Sequence, residues 1–256
     1  MRLGDGTWAS WLAMSDEASG AILYTVAFPT RYWTQVEATE IRAHLQHAFG
    51  DWGLPQTLRF DNGRPWGTSS AVPSDMSLWL VGLGLGLAFG RPARSTDNAG
   101  IERVHGVLNG WVEPGQCVDF AHLQQQLAEF SDLQRARYPL ADKRPRLQRY
   151  PELLTNSRAY APHLDRARWS LQRVYDYLAT FRFQRRVAVN GRLALLNRDY
   201  SMGRASAGRT VAIQMDPVAH QWVVYDDYGR VLKQFQPKDL TYSTFFNMTL
   251  AQRRRK

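Results

Sequence analysis

Cysteine is almost absent. Cys117 is the only one in 256 residues, which excludes an internal disulfide framework and any zinc site built on thiolates. Long apolar runs are missing as well. The longest, Met76 to Phe89, is shorter than the about 20 residues that a membrane-spanning helix needs. The first residues lack the charged-then-apolar pattern of a signal peptide, so the expectation is a cytosolic chain with no membrane partner. Lysine is scarce, with 4 among 32 basic residues. What is abundant is apolar: 44% hydrophobic and 12% aromatic content is enough for a real core and excludes a disordered chain.

The charge is unevenly placed. Residues 1–134 carry 8 Arg and no Lys against 14 Asp and Glu, a balance of −6, whereas 135–256 carry +15, which restores the overall +9. An acidic first half and a strongly basic second half favour a polyanionic partner, most simply nucleic acid. Arginine suits this because its guanidinium grips phosphate in a bidentate way that lysine cannot.

Periodicity divides the chain similarly. Alternating residues in 6–29 predict a β-hairpin with strands near 8–15 and 21–28. Val36, Ile41, Leu45, Ala48 and Phe49 fall at helical spacing, predicting a helix over 34–53 with Thr34 as its N-cap. A strand over 56–61, a buried helix capped by Ser74 and running into a short strand, and helices over 95–113 and 119–138 complete a mixed α/β core over 1–138. Residues 139–182 read as a basic linker followed by a helix near 166–181. Short strands separated by Asn190-Gly191 and Tyr228-Gly229 turns predict a small all-β barrel over 183–243, and 244–256 read as a basic tail.

Within the core, "TLRFDNGRPWG" (57–67) stands out. A strand-like run ends abruptly in Asp61, followed by Asn62-Gly63. Asn-Gly marks a tight turn, so an incidental hairpin Asp is the plain reading. A carboxylate at a strand end also suits a divalent-metal site. Glu102, inside a predicted helix 41 positions later, is a second candidate, since Mg²⁺ takes carboxylate oxygen, water and substrate phosphate and needs few protein ligands.

The wording around the pair sharpens the choice. "LPQTLRFDNGRPWG" and "GRPARSTDNAGIERVHGVLNGW" resemble the catalytic core of integrase-type DDE transposases, the bacterial insertion-sequence branch related to retroviral integrases. The resemblance covers most of 3–138. It matches Asp61, Asn62 and Gly63 to the family's strand-Asp-Asn-Gly element, and Asn98, Glu102 and Arg103 to its Asn-x-x-x-Glu-Arg helix. It implies a ribonuclease H-like α/β core, a mixed sheet flanked by helices, followed by an SH3-like barrel. It also implies Asp61 and Glu102 as catalytic metal ligands, two Mg²⁺ (or Mn²⁺) ions for an intact triad, DNA as substrate, homo-oligomers on paired DNA ends and a bacterial cytosol. The pattern's first Asp belongs to a strand that would precede Met1. Asp16 matches the end of the next strand and Asp5 a hairpin turn. The expectation is therefore an incomplete triad: impaired DNA transposition, or a DNA-binding remnant that inhibits an intact transposase. A nuclease of the same fold acting on hybrid or branched nucleic acid is a further alternative.

The remaining candidates have bland and sharp readings. Arg64, Arg103, Arg182, Arg185, Arg186, Arg192, Arg204 and Arg209 are DNA-contact candidates, with a solvated charged face as the plain explanation. His105 shares a helix face with Glu102, and packing outweighs phosphate contact there. His44 and His47 lack a third metal ligand and read as surface residues. "GLGLGLAFG" (82–90) has no strand before it and lacks the third glycine of a dinucleotide site, so close packing explains its glycines. Trp66 either stacks on a base or caps the core.

Overall fold

The computed structural model describes residues 1–60, 65–66, 72–90, 99–155 and 158–247. Side-chain alternation in the first hairpin decides the layering. Strands β1 (Ser10–Ser15) and β2 (Ile22–Phe28) pair antiparallel, with Trp11 opposite Ala27 and Leu12 opposite Val26. Successive residues point to opposite faces. Trp11, Ala13 and Ala27 therefore meet Val104, Leu108, Leu123 and Leu127 on one side. Val26 and Phe28 share the core of Ile41, Leu45 and Phe49 on the other. Those partners belong to helix α1 (Ala38–Trp52) and to helices α3 (Ala99–Val112) and α4 (Phe120–Ala136). Helices thus cover both faces.

α1 starts after Glu37, with no side-chain cap, and not at the expected Thr34. A 3-10 turn over Trp33–Gln35 intervenes, Val36 is buried, and the Trp33 ring meets Phe28 edge-on at 5.5 Å. Anchoring those two residues takes the chain out of helical conformation for a turn. The free edge of β2 is not left bare. Side chains of α4 satisfy it: Ile22 N donates to Gln134 (3.0 Å), Ala27 N to Gln124 (2.8 Å), and Arg135 donates to Ile22 O (2.8 Å). Capping a sheet edge in this way removes a template for aggregation.

Strands β3 (Thr57–Phe60) and β4 (Gly86–Phe89) form a separate parallel pair. Helix α2 (Asp75–Gly82) connects them and is buried from Met76 to Gly82, as its apolar sequence demands. The expected Ser74 cap is present, accepting from Ser77 N at 3.1 Å. The glycines nearby are structural. A Cβ at Gly82 would strike the indole of Trp169, and Gly84 adopts φ +85°. Arg158 and Arg173 donate to Gly84 O (2.9 Å) and Gly82 O (3.0 Å), satisfying carbonyls just past the helix end.

The expected helix over 166–181 is two, α6 (Asp165–Arg168) and α7 (Leu171–Ala179), following the short α5 (Arg146–Arg149). The break falls at Trp169-Ser170 because Trp169 packs on Gly82 and Ser170 N donates to Gly82 O at 2.8 Å. Six strands follow: β5 (Phe183–Arg186), β6 (Arg192–Leu195), β7 (Arg198–Ser201), β8 (Thr210–Asp216), β9 (Gln221–Tyr225) and β10 (Val231–Phe235). The order β10-β9-β8-β5 is an antiparallel sheet, and β6-β7 is a separate hairpin. Among the described residues the ladder does not close into a ring. Lysines bridge the gap: Lys233 donates to Ser201 O (2.7 Å) and Lys238 to Asp199 O (2.6 Å). The stretch 244–256, expected as a basic tail, begins inside helix α8 (Tyr242–Phe246), whose Phe245 is buried. One buried cluster runs from Phe49 and Trp79 through Val174 and Leu178 to Phe183, Trp222 and Phe245, so the β module is packed onto the core and not tethered to it.

Candidate functional site

The two motif-bearing segments leave the same parallel ladder at matched positions. Phe60 and Phe89 are register partners, and Gly90 N donates to Phe60 O at 3.2 Å. Asp61 follows Phe60 directly, and the stretch leading to Glu102 follows Gly90. Asp61, Asn62, Gly63, Arg64 and Asn98 themselves lie outside the described residues. What bounds the Asp61 segment is well defined. The Trp66 indole stacks on Phe60 at 4.3 Å and 12°. The hydroxyls of Ser74 and Ser77 donate to Trp66 O at 2.7 and 2.6 Å. Trp66 is thus a core residue, which settles its two readings in favour of packing.

Glu102 lies in the first turn of α3, exposed, and among the described residues it has no hydrogen bond or ion pair. A carboxylate at a helix N-terminal turn is favoured by the macrodipole, and its open oxygens suit a hard cation. Arg103 is exposed beside it. His105 is not available to substrate in the way its spacing permits. Trp11 Nε1 donates to His105 Nδ1 at 2.8 Å, and burial pushes its pKa below the ordinary value. It ties α3 to β1. His44 is likewise half-buried, sharing a hydrogen bond with Tyr24 OH (2.9 Å), so the surface reading fails for it; His47 is exposed.

The other acidic residues near the hairpin are occupied. Asp16 accepts from Ser19 N and Ser19 Oγ, both at 2.7 Å, closing the β1–β2 turn. Asp5 accepts from Thr7 N and Oγ1, and these bonds hold its carboxyl below the usual range. Among the described residues no group of three or more His, Cys, Asp and Glu converges in a way that would hold a metal.

A carboxylate that sequence reasoning missed occupies the junction of the two halves. Asp165 is 1% exposed. It accepts from Trp79 Nε1 (3.0 Å), Tyr242 OH (3.0 Å) and Tyr160 OH, which in turn accepts from Gln46 (3.2 Å). Burial, reinforced by the carboxylate, raises both phenol pKa values. Arg42 stands nearby, its guanidinium 3.7 Å from the Phe246 ring centroid and its pKa lowered by burial. The donors lie on α1, α2, the linker and α8, too far apart in sequence for any periodicity to announce them.

The structure also sorts the arginines. Arg192 pairs with Asp199 at 3.4 Å. Arg182 lies over Tyr225 (5.6 Å) and Arg185 over Phe183 (5.7 Å). Arg186, Arg204 and Arg209 are exposed, and among the described residues none has an ion-pair partner. Among the described residues no helix is long and apolar enough to cross a membrane. No model of a known protein family matches the chain.

Proposed function

We propose that the chain is a polynucleotidyl transferase of the integrase-like transposase class, with a ribonuclease H-like core and an SH3-like module that holds DNA in the bacterial cytosol. The observation that carries this reading is the shared exit of both motif segments from the carboxyl ends of β3 and β4, the place where open parallel sheets bind their ligands. Asp61 and Glu102 are the residues that would hold Mg²⁺ or Mn²⁺, and their oxygen-only chemistry fits that choice. Such ions, when bound, activate an attacking oxygen and stabilise the leaving one in an in-line displacement on a phosphodiester. The chain's own part is positional: the Phe60–Trp66 stack fixes the residues on either side of 61–65, and α3 presents Glu102 to solvent. Oligomers on paired DNA ends belong to the same proposal. The test is Mg²⁺- or Mn²⁺-dependent strand transfer by a version that also carries the triad's first Asp, expected to vanish in Asp61→Ala and in Glu102→Ala. Activity surviving either change would sink the site assignment.

One observation favours a second reading, a DNA-binding inhibitor of an intact transposase. Asp5 and Asp16, the acidic residues closest in sequence to where the pattern's first Asp is expected, are both taken up by hydrogen bonds within turns. That reading predicts DNA binding without metal-dependent cleavage.

A further inference from the structure

The strand register gathers the unpaired arginines at one end of the β module. Arg186 pairs in register with Thr210, Val187 N donates to Arg209 O at 2.8 Å, and Arg186 Nε donates to Gly208 O at 3.2 Å. Arg204 joins them through the next turn. Met202 N donates to Gly191 O at 2.8 Å, and Arg204 N sits 2.7 Å from where a Gly191 Cβ would be. Gly191 itself has φ +75°, so this close approach of two backbones admits no side chain.

Two tips project from this same end. The β5–β6 turn carries Val189, 91% exposed, between Arg186 and Arg192. The β9–β10 turn carries Tyr228, 85% exposed, and leaves the sheet at this end because Tyr225 is opposite Ala212. β8 lies between β5 and β9, which sets those two strands about two spacings apart, roughly 10 Å. Nearby carboxylates do not cancel the field. Asp226 is engaged by Arg230 at 2.8 Å, so among the described residues exposed Asp227 is the one acidic side chain of the β9–β10 turn without an ion pair. Exposed Val189 and Tyr228 on turns at the strand end that carries Arg186, Arg204 and Arg209, none of which has an ion-pair partner among the described residues, do not fit a purely solvated charged face.

We propose that this end of the module is the docking surface for duplex DNA, with Arg186, Arg204 and Arg209 on phosphates and the Val189 and Tyr228 tips against the groove. The assignment rests on reading the chain as DNA-binding and narrows where that binding occurs. Phosphate contacts set the salt dependence, whereas groove contacts by apolar tips do not. The two contributions are therefore separable.

The experiment is fluorescence anisotropy of a labelled mixed-sequence duplex, titrated with the full chain at several salt concentrations. Replacing Arg186, Arg204 and Arg209 together by Gln is expected to flatten the log–log salt slope by about 2.7, close to 0.9 per lost phosphate contact. Arg168→Gln, an exposed charge on α6 with no ion-pair partner among the described residues, serves as the control and leaves the slope unchanged. Val189→Ser with Tyr228→Ser weakens binding several-fold at constant slope. Thermal melting confirms that each variant is folded. An unchanged slope in the triple variant, or equal flattening by Arg168→Gln, overturns the docking surface and leaves DNA binding standing. Tighter binding of single strands overturns the duplex assignment. No binding by the unaltered chain overturns both this surface and the reading beneath it.

Discussion

Asp165 and Glu102 are both single carboxylates in the first turn of a helix, and the molecule treats them in opposite ways. Asp165 is sealed from solvent and receives Trp79, Tyr160 and Tyr242. Glu102 is open and, among the described residues, unpartnered. A buried charge persists only where donors saturate it, so Asp165 belongs to the architecture. An exposed acid with nothing to hold contributes little to folding and is free to meet a ligand. Loss of the first carboxylate should damage the fold, and loss of the second should damage the chemistry alone.

The widest separation is expected in activity. If the proposed function holds, Glu102→Ala in a version that carries the triad's first Asp should reduce metal-dependent strand transfer by orders of magnitude, with stability changed by no more than about 0.5 kcal/mol, as for ordinary surface substitutions. A concurrent collapse in stability would erase the contrast. Asp165→Ala should cost roughly 3–5 kcal/mol, measured by denaturant unfolding, because three donors lose their acceptor. Tyr242→Phe isolates one of those donors and should cost about 1.5–3 kcal/mol, loosening α8 first in hydrogen exchange. Gly82→Ala, which drives a methyl group into Trp169, should cost about 1–3 kcal/mol by overpacking. It tests the same junction without touching a charge.

The smallest effect concerns pH. Burial lowers the His105 pKa below its ordinary 6.5. The unfolded chain therefore takes up this proton first as pH falls, and stability present above 6.5 is lost below it. His105→Gln, which keeps an acceptor for Trp11, should flatten this part of a melting-temperature profile between about pH 7 and 5. An unaltered profile would show that His105 contributes nothing to it.

Much of the core was legible because its signals are local. Alternation marked β1 and β2, the period of Ile41, Leu45 and Phe49 marked α1, and Ser74 marked a helix start that its side chain does cap. The glycines of 82–90 were expected to permit helix–sheet packing; Gly82 instead packs on Trp169 of the linker. The misses are tertiary. Trp169 breaks a helix only because Gly82 lies beneath it. α8 is too short to show a period, and Asp165 draws its donors from Trp79 and Tyr242, 86 and 77 positions away. For the candidate site, the sequence motif named Asp61 and Glu102. The Phe60–Trp66 stack was not legible there, because its residue types fit base stacking equally well.

The most direct test is Mn²⁺ binding followed by electron paramagnetic resonance, comparing the unaltered chain with Glu102→Gln in the presence of duplex DNA, with melting temperatures measured on the same samples. The proposed function predicts that bound Mn²⁺ is lost in Glu102→Gln while the melting temperature holds. Equal Mn²⁺ binding by both chains would contradict it.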